Sequence, residues 1–346
     1  MSVNTEAQVH PVRAQQLESI LEIGNLCTNF DLPGSTVRAV RDVSFQLRPG
    51  QRLAVVGESG SGKSALAMSL VGLVPPPGRV ASGSVKLRGR ELVGLGDREI
   101  SKIRGNDIGL VFQDPMAGLD PLKTIGSQFV DAIRVHQDVS VREAKELACQ
   151  LLSEVGVEDP RRRINDYPHQ YSGGMRQRVL IAMAIANDPV VLVADEPTTA
   201  LDVTTQRQVL ELLEKICDER GNALVMITHN LGIVRQLCDS VNVMYAGRIV
   251  EQTSTDALFA EPAHPYTRAL LNCMIDPRTT LRGRLPAIPG SPPDLSLDEV
   301  GCAFAERCLL GSSQSLCHEQ RPEPVLLASG AISRCHFAQT PEGATP

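Results

Sequence analysis

No stretch of the chain supplies the roughly 20 consecutive apolar residues that a bilayer-spanning helix needs. The longest apolar run, Val179 to Val193, is broken by Asn187-Asp188-Pro189. The first 20 residues hold Glu6, His10, Arg13 and Glu18 but no apolar core of the kind a secretory signal carries. Basic excess is also missing. The formal net charge is −6, so no chain-wide positive field argues for nucleic acid. There is no heptad run, which excludes a long coiled coil. No C-x-x-C pair occurs among the nine cysteines, so the common zinc-ribbon spacing is absent. A cytosolic protein is expected, where disulfides are rare. With 346 residues the chain has room for two or three domains and a large buried core.

What is present is organised around Leu53-Ala54-Val55-Val56-Gly57-Glu58-Ser59-Gly60-Ser61-Gly62-Lys63-Ser64. The apolar run Leu53 to Val56 reads as a strand buried on both faces. Gly57, Gly62, Lys63 and Ser64 then fit G-x-x-x-x-G-K-[ST]. Glycines, here Gly57, Gly60 and Gly62, let a backbone curl until several N–H groups point at one anion. A helix starting at Lys63 presents its positive end to the same anion. In such a site Lys63 is the mobile cation for the terminal phosphates, the Ser64 hydroxyl a Mg²⁺ ligand, and Ser59 part of the cradle. A glycine-rich surface turn is the plain alternative; the flanking strand and helix argue against it.

Along the chain, residues 1–18 read as a flexible tail. Ile20 to Thr28 and Val37 to Leu47 are β-rich, and Ser84 to Leu87 is another strand, together giving a small β-sheet subdomain. Pro75-Pro76-Pro77-Gly78 is the expected end of the first helix. Ile108 to Val111 is an apolar strand leading to Gln113. Residues from about 116 to 186 form a helical insert. Its best helix opens on a capping box, Ser140 with Glu143, and closes at Gly156. Val190 to Ala194 is a buried strand ending in Asp195 and Glu196. A helix with Val209, Leu212, Leu213 and Ile216 on its core face follows, then the strand Ala223 to Thr228, capped by His229, and a closing hairpin. Strand–helix alternation at this spacing predicts a parallel sheet with helices packed on it. The nucleotide-binding domain is placed at 19–260. From 261 to 346 prolines, glycines and cysteines dominate, which suggests a separate C-terminal extension.

Beside a phosphate loop, two carboxylates at a strand end become specific. Asp195 is placed to hold Mg²⁺, and Glu196 to act as general base on the attacking water. His229 could approach the γ-phosphate, and Gln113 could bind Mg²⁺ or the water; read plainly, each is only a strand-end side chain. Ser172-Gly173-Gly174 opens a helix about 110 residues after the phosphate loop and forms a second anion-binding tip. One nucleotide has no need of two such tips on one chain. The inference is a dimer in which this tip covers the nucleotide of the partner.

This set of motifs resembles the ATPase subunit of an ABC transporter, over about residues 20 to 255. The stretch Gly57 to Ser64 resembles Walker A, Gln113 the Q-loop, Tyr171 to Met175 the signature, Val190 to Glu196 Walker B, Thr199 to Asp202 the D-loop and His229 the switch histidine. The resemblance implies a P-loop NTPase of α/β class: a RecA-like parallel core, an antiparallel β subdomain and a helical subdomain, using ATP and Mg²⁺. It makes Phe30 the candidate for stacking on adenine. Met175, with Tyr167-Pro168-His169, Pro262 to Thr267 and Ile288 to Pro293, is more narrowly similar to the D-type ATPase of oligopeptide and dipeptide permeases. That likeness implies peptide import at the cytoplasmic face of the cell membrane. It also implies a second, non-identical ATPase, two membrane permease subunits and an extracytoplasmic binding protein as partners, with no nucleic acid. A nickel or glutathione importer is the near alternative. A soluble ABC ATPase acting on DNA or ribosomes is the distant one.

Five cysteines, Cys27, Cys149, Cys217, Cys238 and Cys273, read as small apolar residues. Cys302, Cys308, Cys317 and Cys335 are separated by five, eight and seventeen residues. Four thiolates can hold zinc or an iron–sulfur cluster, with His318 and His336 as substitute ligands; the alternative is four reduced thiols. Cys302 to Cys308 resembles the cysteine motif of the same permease ATPases, which implies a [4Fe–4S] cluster of structural role.

Overall fold

The chain is described from a computed structural model covering residues 19–199, 201–274 and 287–338. The tail expected over residues 1–18 lies outside them, as do parts of the C-terminal extension. Among the described residues, two sheets are built from twelve strands. The first is antiparallel, in the order β2-β1-β4-β5, with β1 Leu21–Leu32, β2 Ser35–Leu47, β4 Gly78–Leu87 and β5 Arg90–Glu91. Strand β1 pairs with β2 through a turn at Pro33-Gly34, where Gly34 takes φ +83°. Alternating residues of β1 and β2, such as Leu21, Ile23, Val43, Phe45 and Leu47, are buried, and the intervening ones are not.

The second sheet has eight strands in the order β11-β12-β10-β9-β3-β8-β7-β6. Its parallel part comprises β3 Arg52–Val56, β6 Ile108–Val111, β7 Val191–Asp195, β8 Ala223–Thr228 and β9 Ser240–Tyr245. Strands β7 and β8 are buried at every position, as a parallel sheet covered on both faces requires. Strand β10 Arg248–Ser254 returns antiparallel to β9 as the expected hairpin. Two apolar clusters fill the two sides. One packs Leu53, Val55, Leu66 and Leu70 beneath the antiparallel sheet, and the other packs Ala54, Val56, Leu192 and Met226 against the later helices.

The helices in chain order are α1 Lys63–Leu70, α2 Asp97–Ile100, α3 Ile125–Arg134, α4 Val141–Glu154, α5 Pro160–Arg163, α6 Gly173–Ala184, α7 Val203–Arg220, α8 Leu231–Leu237, α9 Thr255–Ala260, α10 Pro265–Asn272 and α11 Ser315–Glu319. Helices α3 to α6 make up the helical insert. The Ser140–Glu143 capping box of α4 is present, and Gly156 follows that helix at φ +76°. Helix α7 ends on Gly221 at φ +68°. Helix α1 stops at Leu70, before Gly72 at φ +63°, so the prolines at 75–77 lie beyond its end rather than causing it. Among the described residues no helix is long and apolar enough to cross a membrane.

The extension does not hang as a separate module. Strand β12 Ile332–Ser333 pairs with β10, and β11 Val325–Leu326 with β12, extending the main sheet at its edge. Arg38 donates its amide to the Leu295 carbonyl at 3.0 Å, Arg248 meets Glu299 at 2.6 Å and Arg334 meets Asp42 at 3.1 Å. Two-residue strands carry no periodicity, which is why composition alone suggested a detached unit.

Candidate functional site

Parallel strands point their carboxyl ends to one edge, where the loops that follow them gather. That edge collects the loop after β3, Gln113 after β6, Glu196 after β7 and His229 after β8.

The phosphate loop is shaped by glycines that admit no side chain. Gly57 sits at φ +156° and Gly62 at φ +102°. A Cβ on Gly57 would lie 2.1 Å from the Met244 carbonyl oxygen, and one on Gly62 would lie 2.0 Å from that of Ala39. Gly60, at φ +79°, has open space around it and needs only the conformation. Lys63 opens α1 and is buried. Its Nζ donates to the carbonyls of Gly57 and Glu58, each at 2.9 Å. Burial lowers its pKa, against the opposing pull of Glu196, Asp195 and Glu58. Ser61 is buried, and its hydroxyl has no hydrogen-bond partner among the described residues. A positive amide nest, a poised ammonium and an unspent hydroxyl together fit a polyphosphate.

Ser64 donates to Asp195 Oδ1 at 3.2 Å, so a hydroxyl and a carboxylate stand side by side where Mg²⁺ would need hard oxygen ligands. Burial raises the pKa of Asp195, and the neighbouring Glu196 adds to this; a divalent cation would reverse that penalty.

Glu196 is where the structure gathers most. Thr199 donates to its Oε2 at 2.8 Å and Gln113 Nε2 donates to the same oxygen at 3.1 Å. His229 Nδ1 lies 3.1 Å from Oε1. Burial pushes the Glu196 pKa up, but the bonds from Thr199 and His229 and the charge of Lys63 outweigh it, so the net direction is down. The carboxylate is therefore kept ionised and able to accept a proton only transiently. Glu196 has φ +44°, an uncommon conformation for a side-chain-bearing residue, and one often retained at functional positions.

Ser172 caps α6, accepting the Met175 amide at 3.3 Å. Ser172 and Gly173 are exposed. Gly174 packs on the start of α7, where its Cβ would come 2.4 Å from Thr205 Cγ2. Asp202 caps α7 by accepting the amides of Thr204 and Thr205, each at 3.0 Å. Ala200, between Thr199 and Asp202, lies outside the described residues. Phe30 stands in β1 opposite Val37 and Gly78, with its ring edge against Gly78.

Cys302, Cys308, Cys317 and Cys335 line one pocket with Phe304, Gly311 and His336. A Cβ on Gly311 would fall 3.1 Å from the Cys317 sulfur and 3.4 Å from that of Cys308, so glycine leaves the sulfurs room. The Gly311 amide donates to Cys308 Sγ and the Phe337 amide to Cys335 Sγ, bonds that favour thiolate-like sulfur. Against this, burial pushes Cys302 up to about 12 and Cys335 up to about 11, so without a metal these thiols stay protonated. Among the described residues no three His, Cys, Asp or Glu side chains close on a point suited to a single ion. His318 Nε2 is bonded to the Ser312 carbonyl and His336 Nε2 to that of Gln320.

Thr199 and Glu58 lie within the motifs read from the sequence, but their partners were not legible there: Thr199 donates to Glu196 at 2.8 Å, and Glu58, the second residue of the phosphate loop, is ion-paired to Arg307 at 2.8 Å.

This arrangement, a phosphate loop and a carboxylate-ended strand in one parallel sheet with a serine–glycine helix tip exposed, defines a nucleotide-hydrolysing cassette, and the comparisons agree. Residues 40–199 match the ABC transporter family, and residues 250–317 match the oligopeptide/dipeptide transporter C-terminal region. A probable peptide ABC transporter ATP-binding protein of Sinorhizobium fredii is 47% identical over 317 residues, covering 91% of this chain and 94% of that one. The oligopeptide transport ATP-binding protein OppD of Bacillus subtilis is 43% identical over 322 residues, 93% of this chain and 88% of its own. The dipeptide transport ATP-binding protein DppD of the same organism is 46% identical over 294 residues, 84% and 87% of the two chains. Among solved structures, a dimeric ATP-binding cassette bound to ADP and Pi superposes with a TM-score of 0.62 at 29% identity, covering 68% of this chain and 98% of that one. The chain belongs to the ATP-binding subunits of ABC transporters, in the branch that carries the oligopeptide/dipeptide transporter C-terminal region. It is an ATPase.

Proposed function

We propose that the chain is the energy-coupling subunit of a peptide importer, working at the cytoplasmic face of the membrane with a second, non-identical ATPase, two permease subunits and an extracytoplasmic binding protein. The observation that carries this is the pairing, in one chain, of the ABC transporter match with the peptide-transporter C-terminal match, in the company of relatives named for peptide transport. Nickel or glutathione cargo would use the same ATPase, because the cargo pocket belongs to other subunits.

In this reading the phosphate loop and Lys63 bind the triphosphate, and Ser64, Asp195 and Gln113 hold Mg²⁺, which supplies neutralising charge to the phosphates. Glu196 orients the attacking water and takes its proton, steadied by Thr199 and His229. Ser172 to Gly174 cover the nucleotide of the partner, and Asp202 starts the helix behind them. The exposed signature tip and the dimeric state of the similar solved cassettes support this arrangement. Phe30 is the candidate for stacking on adenine. The four cysteines would hold a [4Fe–4S] cluster, which would supply a structural cross-link; zinc or four reduced thiols are the alternatives.

Reconstitution in lipid vesicles with the permease pair and binding protein tests the whole. ATP-dependent uptake of labelled peptide, with hydrolysis stimulated by peptide-loaded binding protein, is the expected result. Stimulation by a nickel- or glutathione-loaded binding protein, with none by peptides, would move the cargo; cofractionation with ribosomes instead of membranes would reverse the class.

A further inference from the structure

Arg307 belongs to the extension, on the short turn Ala305–Arg307 between Cys302 and Cys308. Its side chain is 5% exposed. Nη1 donates to Glu58 Oε2 at 2.8 Å and Nη2 to Oε1 at 3.0 Å, a bidentate fork. Nη1 also reaches Tyr245 Oη at 3.2 Å, and Nε donates to the Pro289 carbonyl at 2.8 Å. Glu58 is the second residue of the phosphate loop. Its amide donates to Tyr266 Oη at 2.9 Å, and its carbonyl accepts Lys63. Every polar group of this one loop residue is thus tied, two of them by residues beyond the family's ATPase motifs.

The other side of the same turn faces the sulfurs. Cys302, Phe304, Ala305 and Cys308 line the cysteine pocket. The Phe304 ring packs edge-on against Tyr245 at 5.3 Å and Tyr266 at 5.4 Å, the two tyrosines that meet Arg307 and the Glu58 amide. Arg307 and Cys308 are adjacent in sequence, so a change in how Cys308 is seated has no slack in which to be lost.

A glycine-rich loop gives up much conformational freedom when it is ordered. A loop already held in its binding form leaves less of that cost to the ligand. We infer that Arg307 is a positioning residue for the phosphate loop, acting through Glu58, so that ATP affinity depends on how the cysteine-lined end of the extension is seated. The inference rests on the ATP site described above, and adds to it a route from the sulfur pocket to the phosphates.

The test measures binding of a fluorescent ATP analogue with Mg²⁺ to the full-length chain. Arg307→Gln and Glu58→Gln should each weaken binding about tenfold, the scale of one charge-assisted hydrogen bond. The double variant should be no weaker than the worse single one, because each removes the same link. Arg307→Lys, which keeps the charge but not the fork, should recover part of the loss. Cys302→Ser should weaken binding in the wild-type background and add nothing to Arg307→Gln. If Arg307→Gln proves insoluble, Glu58→Gln and Arg307→Lys carry the same comparison. A folded Arg307→Gln protein binding within twofold of wild type overturns the inference, as does a double variant whose loss is the product of the singles. Cys302→Ser with unchanged affinity overturns the link to the pocket. Failure of the wild-type chain itself to bind the analogue would instead refute the ATP site.

Discussion

Replacing Glu196 with Gln isolates chemistry from architecture. The carboxamide has the same shape, so its carbonyl oxygen can keep the bonds from Thr199, 2.8 Å, and Gln113, 3.1 Å. Its amino group can then donate to His229 Nδ1, 3.1 Å from the other oxygen, whenever that nitrogen is unprotonated. No buried partner is orphaned, so stability should change by no more than about 1 kcal/mol. What disappears is a group able to accept a proton. General-base catalysis is worth about 10²–10⁴-fold, or roughly 3–5 kcal/mol of barrier. Steady-state phosphate release at saturating Mg-ATP should fall by that factor, while binding of a fluorescent ATP analogue stays within a few-fold of wild type. The variant should also accumulate as an ATP-loaded dimer with its partner ATPase, because the nucleotide that joins the subunits is no longer consumed. Turnover within a few-fold of wild type would remove Glu196 from the base role and leave its hydrogen bonds as support for the strand end only.

Other expectations follow from the same geometry. Gly62→Ala places a methyl 2.0 Å from the Ala39 carbonyl at φ +102°, so nucleotide binding should be lost even where circular dichroism shows a folded chain. Gly174→Ala collides with Thr205 Cγ2 at 2.4 Å; turnover of the assembled transporter should drop at least tenfold while the isolated chain still binds ATP, and Thr205→Ser, which removes that methyl, should restore much of it. Glu91 accepts the amides of Val85, Leu92 and Val93 at 2.9, 3.1 and 3.0 Å and the Ser84 hydroxyl; burial alone would raise its pKa, but these bonds hold it below the usual value. A depressed folded pKa contributes stability that is present above the ordinary value of 4.5 and lost as pH falls through the folded value. Denaturant midpoints should therefore decline in that acid window, and Glu91→Gln should flatten the decline.

Much of this molecule was legible without coordinates because the signals are local. A glycine that must adopt positive φ, a serine that caps a helix, and an apolar run closed by two carboxylates each report their own backbone, and Gly57, Gly62, Ser140, Ser172 and Asp195 report it correctly. Their order along the chain was enough to reveal the cassette. Tertiary structure decided which side chains meet. Gln113 and His229 reach Glu196 across 83 and 33 residues only because β8 lies between β3 and β7, with β6 beyond. Arg307 meets Glu58 across 249 residues, and the Cys302–Cys308 motif in which it sits says nothing of that partner. The extension joins the main sheet through strands of two residues, too short to show a period. Such pairings depend on strand order and loop path, which are global properties of packing, whereas caps and turns are settled within a few residues of backbone.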